Sequence, residues 1–230
     1  TDIFILNSCS VTHKSDNEAL YILRHAKHKN PKITTVLTGC VAQLEKENLL
    51  KEDYIDIVLG NDDKLNILSF LPEKQSKVSD IMSQDTFTEV LLHDLSKTRA
   101  NLKIQDGCNN RCTYCTICLA RGKSRSASIP FLLKQIKIFE EAGFKEIVLT
   151  GINIGQWKRV ENGIEKNLLD LLKEIEEKTN IERYRLGSLN PLEINDEFLD
   201  FLSKSKKFCP HFHLSLQSLC DKTLKNMNRK

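Results

Sequence analysis

No stretch of the 230 residues approaches the roughly 20 consecutive apolar residues that a membrane-spanning helix needs. The longest apolar runs are short, as at Ile147–Leu149. No secretory signal opens the sequence, and no internal repeat or low-complexity tract interrupts it. An exported or helical membrane protein is therefore not expected, and a cytoplasmic one is. Acidic residues are missing over one long segment: from Gly107 to Phe139 there is no Asp or Glu, while Arg111, Arg121, Lys123, Arg125, Lys134 and Lys137 all fall there. That stretch is either a solvated basic face or a surface for phosphates. The net charge of +3 says little by itself about nucleic acid. With 40% hydrophobic and 28% charged residues the composition is that of an ordinary globular protein. Its length suits about two domains of roughly 100–200 residues each. The sequence starts on Thr1 at the edge of an apolar strand and stops at Lys230 without a helix stop signal, as expected of a piece of a longer chain.

The hydrophobic pattern alternates strand and helix. Strands are predicted over 2–7, 33–38 and 55–59. Helices are predicted over 15–29 (capped by Ser15 or Asp16), 41–50 and 64–71. This order implies a parallel sheet with helices on its faces. Residues 73–85 read as a linker, and the alternation of Phe87, Val90, Leu92, Leu102 and Ile104 suggests strands leading into a second domain. The βα rhythm then resumes, with strands at 102–105, 146–150, 184–187 and 211–215. Helices fall at 130–142, 167–178, 196–205 and from 220. Repeated βα units suggest part of a (β/α) barrel, in which the loops after the strands carry the chemistry.

Eight cysteines stand at 9, 40, 108, 112, 115, 118, 209 and 220. Close clustering without an export signal favours metal over disulfides. The central motif, Cys108-Asn-Asn-Arg-Cys112-Thr-Tyr-Cys115, is C-x3-C-x2-C directly after a strand. Three thiolates from one short loop can hold three irons of a 4Fe-4S cube and leave the fourth iron open to a small molecule. Asp106-Gly107 supplies the flexible turn before it. Cys118 extends the pattern to a possible fourth ligand, which would close the site as an electron carrier or a structural zinc. Cys209 and Cys220 read as packing residues.

The stretch QDGCNNRCTYCTICLARG, Gln105 to Gly122, resembles the cluster loop of the radical S-adenosylmethionine (SAM) methylthiotransferases, with Cys118 where the family has Pro. Asn7-Ser8-Cys9-Ser10-Val11-Thr12 and Thr38-Gly39-Cys40 are similar to the cysteine motifs of that family's N-terminal domain. The resemblance implies an N-terminal parallel α/β methylthiotransferase domain over residues 1–85. A truncated radical SAM (β/α) partial barrel would follow over 86–230. It also implies two 4Fe-4S clusters. A SAM-cleaving one would sit on Cys108, Cys112 and Cys115, and an auxiliary one on Cys9, Cys40 and a third cysteine upstream of Thr1.

Glu146–Gly155, Arg185–Pro191 and His213–Ser218 resemble the MtaB type, which modifies threonylcarbamoyladenosine in tRNA. The MiaB type, acting on isopentenyladenosine, comes second and the RimO type, acting on a ribosomal protein, third. Two departures stand out: Asn190 replaces the usual Glu, and Leu219-Cys220 replaces a usual Gly-Ser, where Leu would crowd a turn that needs positive φ. By the resemblance, the 5′-deoxyadenosyl radical made from SAM removes hydrogen from C2 of the adenine beside the anticodon, and a methylthio group joins that carbon. SAM contacts would come from Tyr114, Asn153, Ser188 and Gln217, each of which is otherwise an ordinary packing, cap or turn residue. Arg121, Lys123 and Arg125 would meet the phosphates of the tRNA anticodon stem-loop. A small RNA-binding domain would follow the barrel. An electron donor such as flavodoxin or ferredoxin and a monomeric state complete the expectation.

Overall fold

A computed structural model describes residues 2–10, 12–92 and 98–229, which fall into two compact units. The first comprises residues 1–84 and 114–122, the second residues 85–113 and 123–230.

In the first unit β1 (Ile3–Ser8), α1 (His13–Lys29), β2 (Thr34–Gly39), α2 (Cys40–Leu44), α3 (Lys46–Leu49) and β3 (Ile57–Leu59) follow one another. The strands form a parallel sheet in the order β1-β2-β3, with Ser8 opposite Gly39 and Thr38 opposite Leu59. Parallel pairing forces each connection back across the sheet, so all three strand ends emerge on one edge. Leu23, Leu37, Val41, Ala42, Tyr54 and Val58 fill one face. Val36, Ile57 and Leu59 fill the other, under α4 (Ile67–Phe70). Helix α1 starts earlier than its periodicity predicts. Thr12 is the cap, accepting from the Ser15 N–H, so Ser15 and Asp16 lie inside the first turn. The helix predicted over 41–50 is two short ones, broken at Glu45, which leaves helical geometry (φ −116°, ψ 22°). Helix α5 (Ile117–Arg121) also belongs to this unit and packs on α2.

In the second unit β4 (Ala100–Lys103), β7 (Glu146–Thr150) and β10 (Arg183–Leu186) form a parallel sheet in the order β10-β7-β4. Short strands β5 (Gln105–Asp106) and β6 (Arg125–Ser126) pair antiparallel. Helix α6 (Ile129–Glu141) buries Ile129, Leu132, Ile136 and Phe139 along one stripe, and Ser128 caps it. Helix α7 (Leu168–Lys178) starts at an Asn167–Asp170 capping box. Strands β8 (Lys158–Glu161) and β9 (Ile164–Asn167) form a hairpin across Asn162-Gly163, both at positive φ. Strand β11 (Ser188–Leu189) pairs parallel with β12 (His213–Leu214), with α8 (Asp196–Lys204) between them in the chain and α9 (Asp221–Asn226) after. The α/β class with parallel sheets is as the sequence implies.

Phe87, Val90 and Leu92 do not form the strands that their alternation suggests. Leu92 finds its partners in a side chain instead: the Gln135 amide donates to the Leu92 carbonyl and accepts from its N–H. Residues 93–97 lie outside the described ones.

Candidate functional site at the strand ends

The cysteine loop begins where β4 and β5 deliver the chain to the C-terminal end of the second unit's sheet. None of the eight cysteines is in a disulfide among the described residues. Gly107, at φ 72°, turns the backbone into the loop. Cys108 is half-buried and Cys112 is buried. Two side chains fix the start of the loop. Asn109 donates its N–H to the Gln156 side chain and accepts from the Ser124 N–H through its own. Gln105 is fully buried and binds on both sides. Its Nε2 donates to the carbonyl oxygens of Asp106 (3.1 Å) and Gly107 (2.6 Å) and to the Ser124 hydroxyl (2.9 Å). Its Oε1 accepts from the N–H groups of Ile152 (3.0 Å) and Asn153 (3.1 Å). One buried amide thus ties the loop entrance to the turn after β7.

The predicted SAM contacts have distinct surroundings. Asn153 is buried, with Nδ2 donating to Glu193 Oε1 at 2.6 Å and Oδ1 buried without a partner among the described residues. Burial raises the Glu193 carboxyl above its ordinary value, against the Asn190 N–H, the Asn153 amide and the Arg229 charge, which pull it down. Asn190 and Glu193 form a reciprocal capping box, so the Asn at that departure has a structural role of its own. The Ser188 and Ser215 hydroxyls meet at 3.1 Å across β11 and β12. Gln217 is exposed and takes φ 65°. The left-handed residue of that turn is Gln217; Leu219 is not at positive φ and is 91% exposed, so it crowds nothing.

In the first unit Cys9 and Cys40 directly follow the register pair Ser8–Gly39, which places them on neighbouring strand ends. Cys9 is exposed and Cys40 is buried. Gly39 permits the close approach: a Cβ there would lie 2.2 Å from the Ser8 carbonyl oxygen, and φ is 99°. The Ser8 hydroxyl donates to the Thr38 carbonyl and accepts from the Val41 N–H. Asn61, which the sequence reading passed over, is buried beside Cys40 with Nδ2 3.9 Å from its Sγ. Asn61 also donates to the Ala120 carbonyl at 2.8 Å and accepts from Arg121 at 3.3 Å. Cys115 is half-buried and Tyr114 exposed. Cys118 is buried in α5, its Sγ 4.0 Å from the Cys115 carbonyl oxygen, in the manner of a helical packing residue.

Two expectations need correction. Arg125 is buried in β6 and so is no surface cation, Arg121 is engaged with Asn61, and the exposed Lys123 pairs with Asp85 at 3.1 Å. Arg111, Lys134 and Lys137 of the same stretch are exposed. Cys209 is buried as expected, but Cys220 is exposed at the cap of α9, where N–H and hydroxyl bonds from Thr223 and the Lys222 N–H lower its thiol pKa.

The donor chemistry fits an iron–sulfur cube: three cysteines outside any disulfide within eight residues, on a loop with no helix or strand between Gly107 and Thr116. Among the described residues no three His, Cys, Asp or Glu side chains stand ready around a single metal ion. A cube asks for something else, one thiolate for each of three irons. A cavity of about 730 Å³ lies at the opposite, N-terminal ends of β7 and β10, lined by Arg99, Lys145, Glu146 and Arg183. All four are ion-paired, and none belongs to the predicted site.

These features define a parallel α/β protein with a three-cysteine loop at its strand ends. Residues 102–230 match the radical SAM superfamily, and residues 1–60 match an uncharacterised protein family, UPF0004. The chain belongs to the radical SAM superfamily. The threonylcarbamoyladenosine tRNA methylthiotransferase MtaB of Aquifex aeolicus is 37% identical over 99% of this chain and 57% of its own length. The MtaB of Bacillus subtilis is 35% identical over 100% of this chain and 52% of its own. The tRNA-2-methylthio-N(6)-dimethylallyladenosine synthase of Thermodesulfovibrio yellowstonii is 36% identical over 100% and 54%. The chain spans about half the length of these relatives. Among solved structures, the radical S-adenosylmethionine methyltransferase TsrM of Kitasatospora setae, with tryptophan and a SAM analogue bound, matches with a TM-score of 0.67. It is 12% identical and covers 96% of this chain and 49% of its own, so the likeness is one of fold. No helix among the described residues is long and apolar enough to cross a membrane.

Proposed function

We propose that the protein is a radical SAM methylthiotransferase that adds a methylthio group to C2 of N6-threonylcarbamoyladenosine next to the anticodon of tRNA. The observation that carries this reading is the three-cysteine loop, joined to similarity over 99–100% of this chain with enzymes named for that reaction. Cys108, Cys112 and Cys115 would hold a 4Fe-4S cluster. Cys9 and Cys40, with a further cysteine outside this sequence, hold the auxiliary cluster. The loop cluster, when bound with SAM, would supply one-electron reductive chemistry.

The chain's own residues bind and orient. Gln105 and Asn109 fix the loop entrance. Asn153, Ser188 and Gln217 lie at or after the C-terminal ends of strands, where SAM docks, and Tyr114 contributes an exposed ring. Phosphate contacts fall to the exposed Arg111, Lys134 and Lys137, which position the anticodon stem without reading sequence. The protein works in the cytoplasm as a monomer and draws electrons from a flavodoxin or ferredoxin. We assign residues 1–85 to a methylthiotransferase domain and residues 86–230 to a radical SAM core, a reading that the matches over 1–60 and 102–230 support.

A second reading has its own support, because a relative named for dimethylallyladenosine is as similar as those named MtaB. The segment Thr150–Gly155 favours the threonylcarbamoyl substrate. The test offers the reconstituted full-length protein hypomodified tRNA bearing either threonylcarbamoyladenosine or isopentenyladenosine, followed by mass spectrometry of the nucleosides. A methylthio gain on the first alone supports the proposal. A gain on the second alone replaces it with the MiaB reading, and a gain on neither, with SAM still cleaved, rejects both substrates.

A further inference from the structure

The end of α9 returns to the cysteine loop after more than a hundred residues of chain. Within the second unit, four hydrogen bonds join residues 226–229 to residues 111–113. The Thr113 N–H donates to the Met227 carbonyl at 3.1 Å, and the Thr113 hydroxyl to the Asn226 carbonyl at 3.4 Å. The Asn228 side chain donates to the Arg111 carbonyl at 2.8 Å. Arg229 places Nη1 3.9 Å from the Cys112 Sγ. These contacts bracket Cys112 on both sides and reach its sulfur. Asn228 takes φ 50°, a conformation that Asn tolerates better than most residues, and this turn directs 228 and 229 back toward the loop. Arg229 is half-buried and is itself anchored, its Nη2 donating to the Ser215 carbonyl. Its charge also acts on Glu193, which holds Asn153.

We propose that residues 226–229 are a clamp that positions the middle cysteine of the loop, and that Arg229 is a positioning residue whose guanidinium sets the electrostatics at the Cys112 sulfur. The inference rests on the reading that Cys112 is a cluster ligand. Hydrogen bonds and charges at the ligand sulfurs are among the levers by which a protein sets a cluster's reduction potential. A fixed cation beside a ligand thiolate favours the reduced, more negative cluster. Removing it makes reduction harder without removing a ligand.

The test uses the full-length protein with Cys9→Ala and Cys40→Ala, so that only the loop cluster is observed, reconstituted anaerobically with iron and sulfide. Arg229→Gln and Arg229→Lys are compared with this parent by iron content and by a potentiometric titration read by electron paramagnetic resonance. The expected result is a cube in all three. In Arg229→Gln the reduced-to-oxidised ratio at fixed potential should fall about tenfold, a shift of about 59 mV for one electron, and Arg229→Lys should recover most of it. In the same protein, Asn228→Gly keeps the backbone conformation but loses the bond to Arg111, and hydrogen exchange at the Thr113 amide should speed up several-fold. An unmoved midpoint in Arg229→Gln overturns the role of the guanidinium. Unchanged exchange at Thr113 overturns the clamp. A parent that forms no cube sinks the proposed function itself, and this inference with it.

Discussion

Replacing Gln105 by Leu should loosen the entrance of the cysteine loop while leaving the hydrophobic core intact. The two side chains are similar in size and the site is fully buried, so the change is one of hydrogen bonding rather than volume. The N–H groups of Ile152 and Asn153 and the Gly107 carbonyl lose their bonds at 3.0, 3.1 and 2.6 Å. Each net bond contributes about 1 kcal/mol, and a buried group left unpaired costs more. The expected destabilisation is therefore about 3 kcal/mol, confined to the second unit. Gln105→Glu separates the two halves of the network: its carboxylate still accepts from 152 and 153 but faces the Gly107 carbonyl with an oxygen. Hydrogen exchange with peptide resolution reads both variants in the full-length protein. Gln105→Leu should expose the amides of 152 and 153, and Gln105→Glu should spare them while loosening 107. A loss below about 1 kcal/mol by urea unfolding, or unchanged exchange at 152 and 153, would refute the role assigned to this amide.

The Asp56 carboxyl is held at about 2: burial alone would raise it, but the Lys27 ammonium at 2.6 Å and the Thr35 N–H and hydroxyl outweigh burial. Its folded value lies below the ordinary 3.8 of the unfolded chain, so it contributes about 2 kcal/mol above pH 4, lost as the pH falls through 2. Asp56→Asn should lose that pH-dependent part, and the stability gap between variant and parent should shrink from pH 4 downward and close only below pH 2 in acid titrations of unfolding. Gly39→Ala meets both a positive φ and the Ser8 carbonyl, so it should cost well over 2 kcal/mol by chemical denaturation. Gly163→Ala, with positive φ but nothing within 4 Å of the added carbon, should cost only about 1 kcal/mol. Cys118→Ala in the full-length protein should keep the iron of the loop cluster and reductive SAM cleavage, read by iron assay and chromatography; loss of that iron would make Cys118 a ligand.

What was legible in the sequence was local. Strand β7 matches its predicted bounds, and α6, α7 and α8 differ by a residue or so, because their apolar stripes, caps and flanking glycine or asparagine all agree. The Asn162-Gly163 turn was also there to be read, since two left-handed residues between alternating segments mark a hairpin, yet β8 and β9 went unpredicted. Their side chains are largely polar or exposed, which hides a strand from a search for apolar runs. The false strands around Val90 fail for the opposite reason: alternation was present, but the backbone of Leu92 pairs with the side chain of Gln135 instead of a strand. Arg125 read as a surface cation because charge is written in the sequence and burial is not.

The supports of the cysteines were the least legible part, and the reason is distance along the chain. A ligand set can be found by spacing because its cysteines are neighbours in sequence. The groups that hold them are neighbours only in space: Gln156 on Asn109, Asn61 on Cys40, Arg229 on Cys112. Each is a common polar residue in an ordinary local context, so no periodicity or motif singles it out. Their positions follow from topology, because parallel strands deliver successive loops to the same edge of the sheet, however far apart those loops lie in the chain. Sequence spacing can nominate what binds a cluster, but what tunes it becomes visible only once the strand ends are brought together.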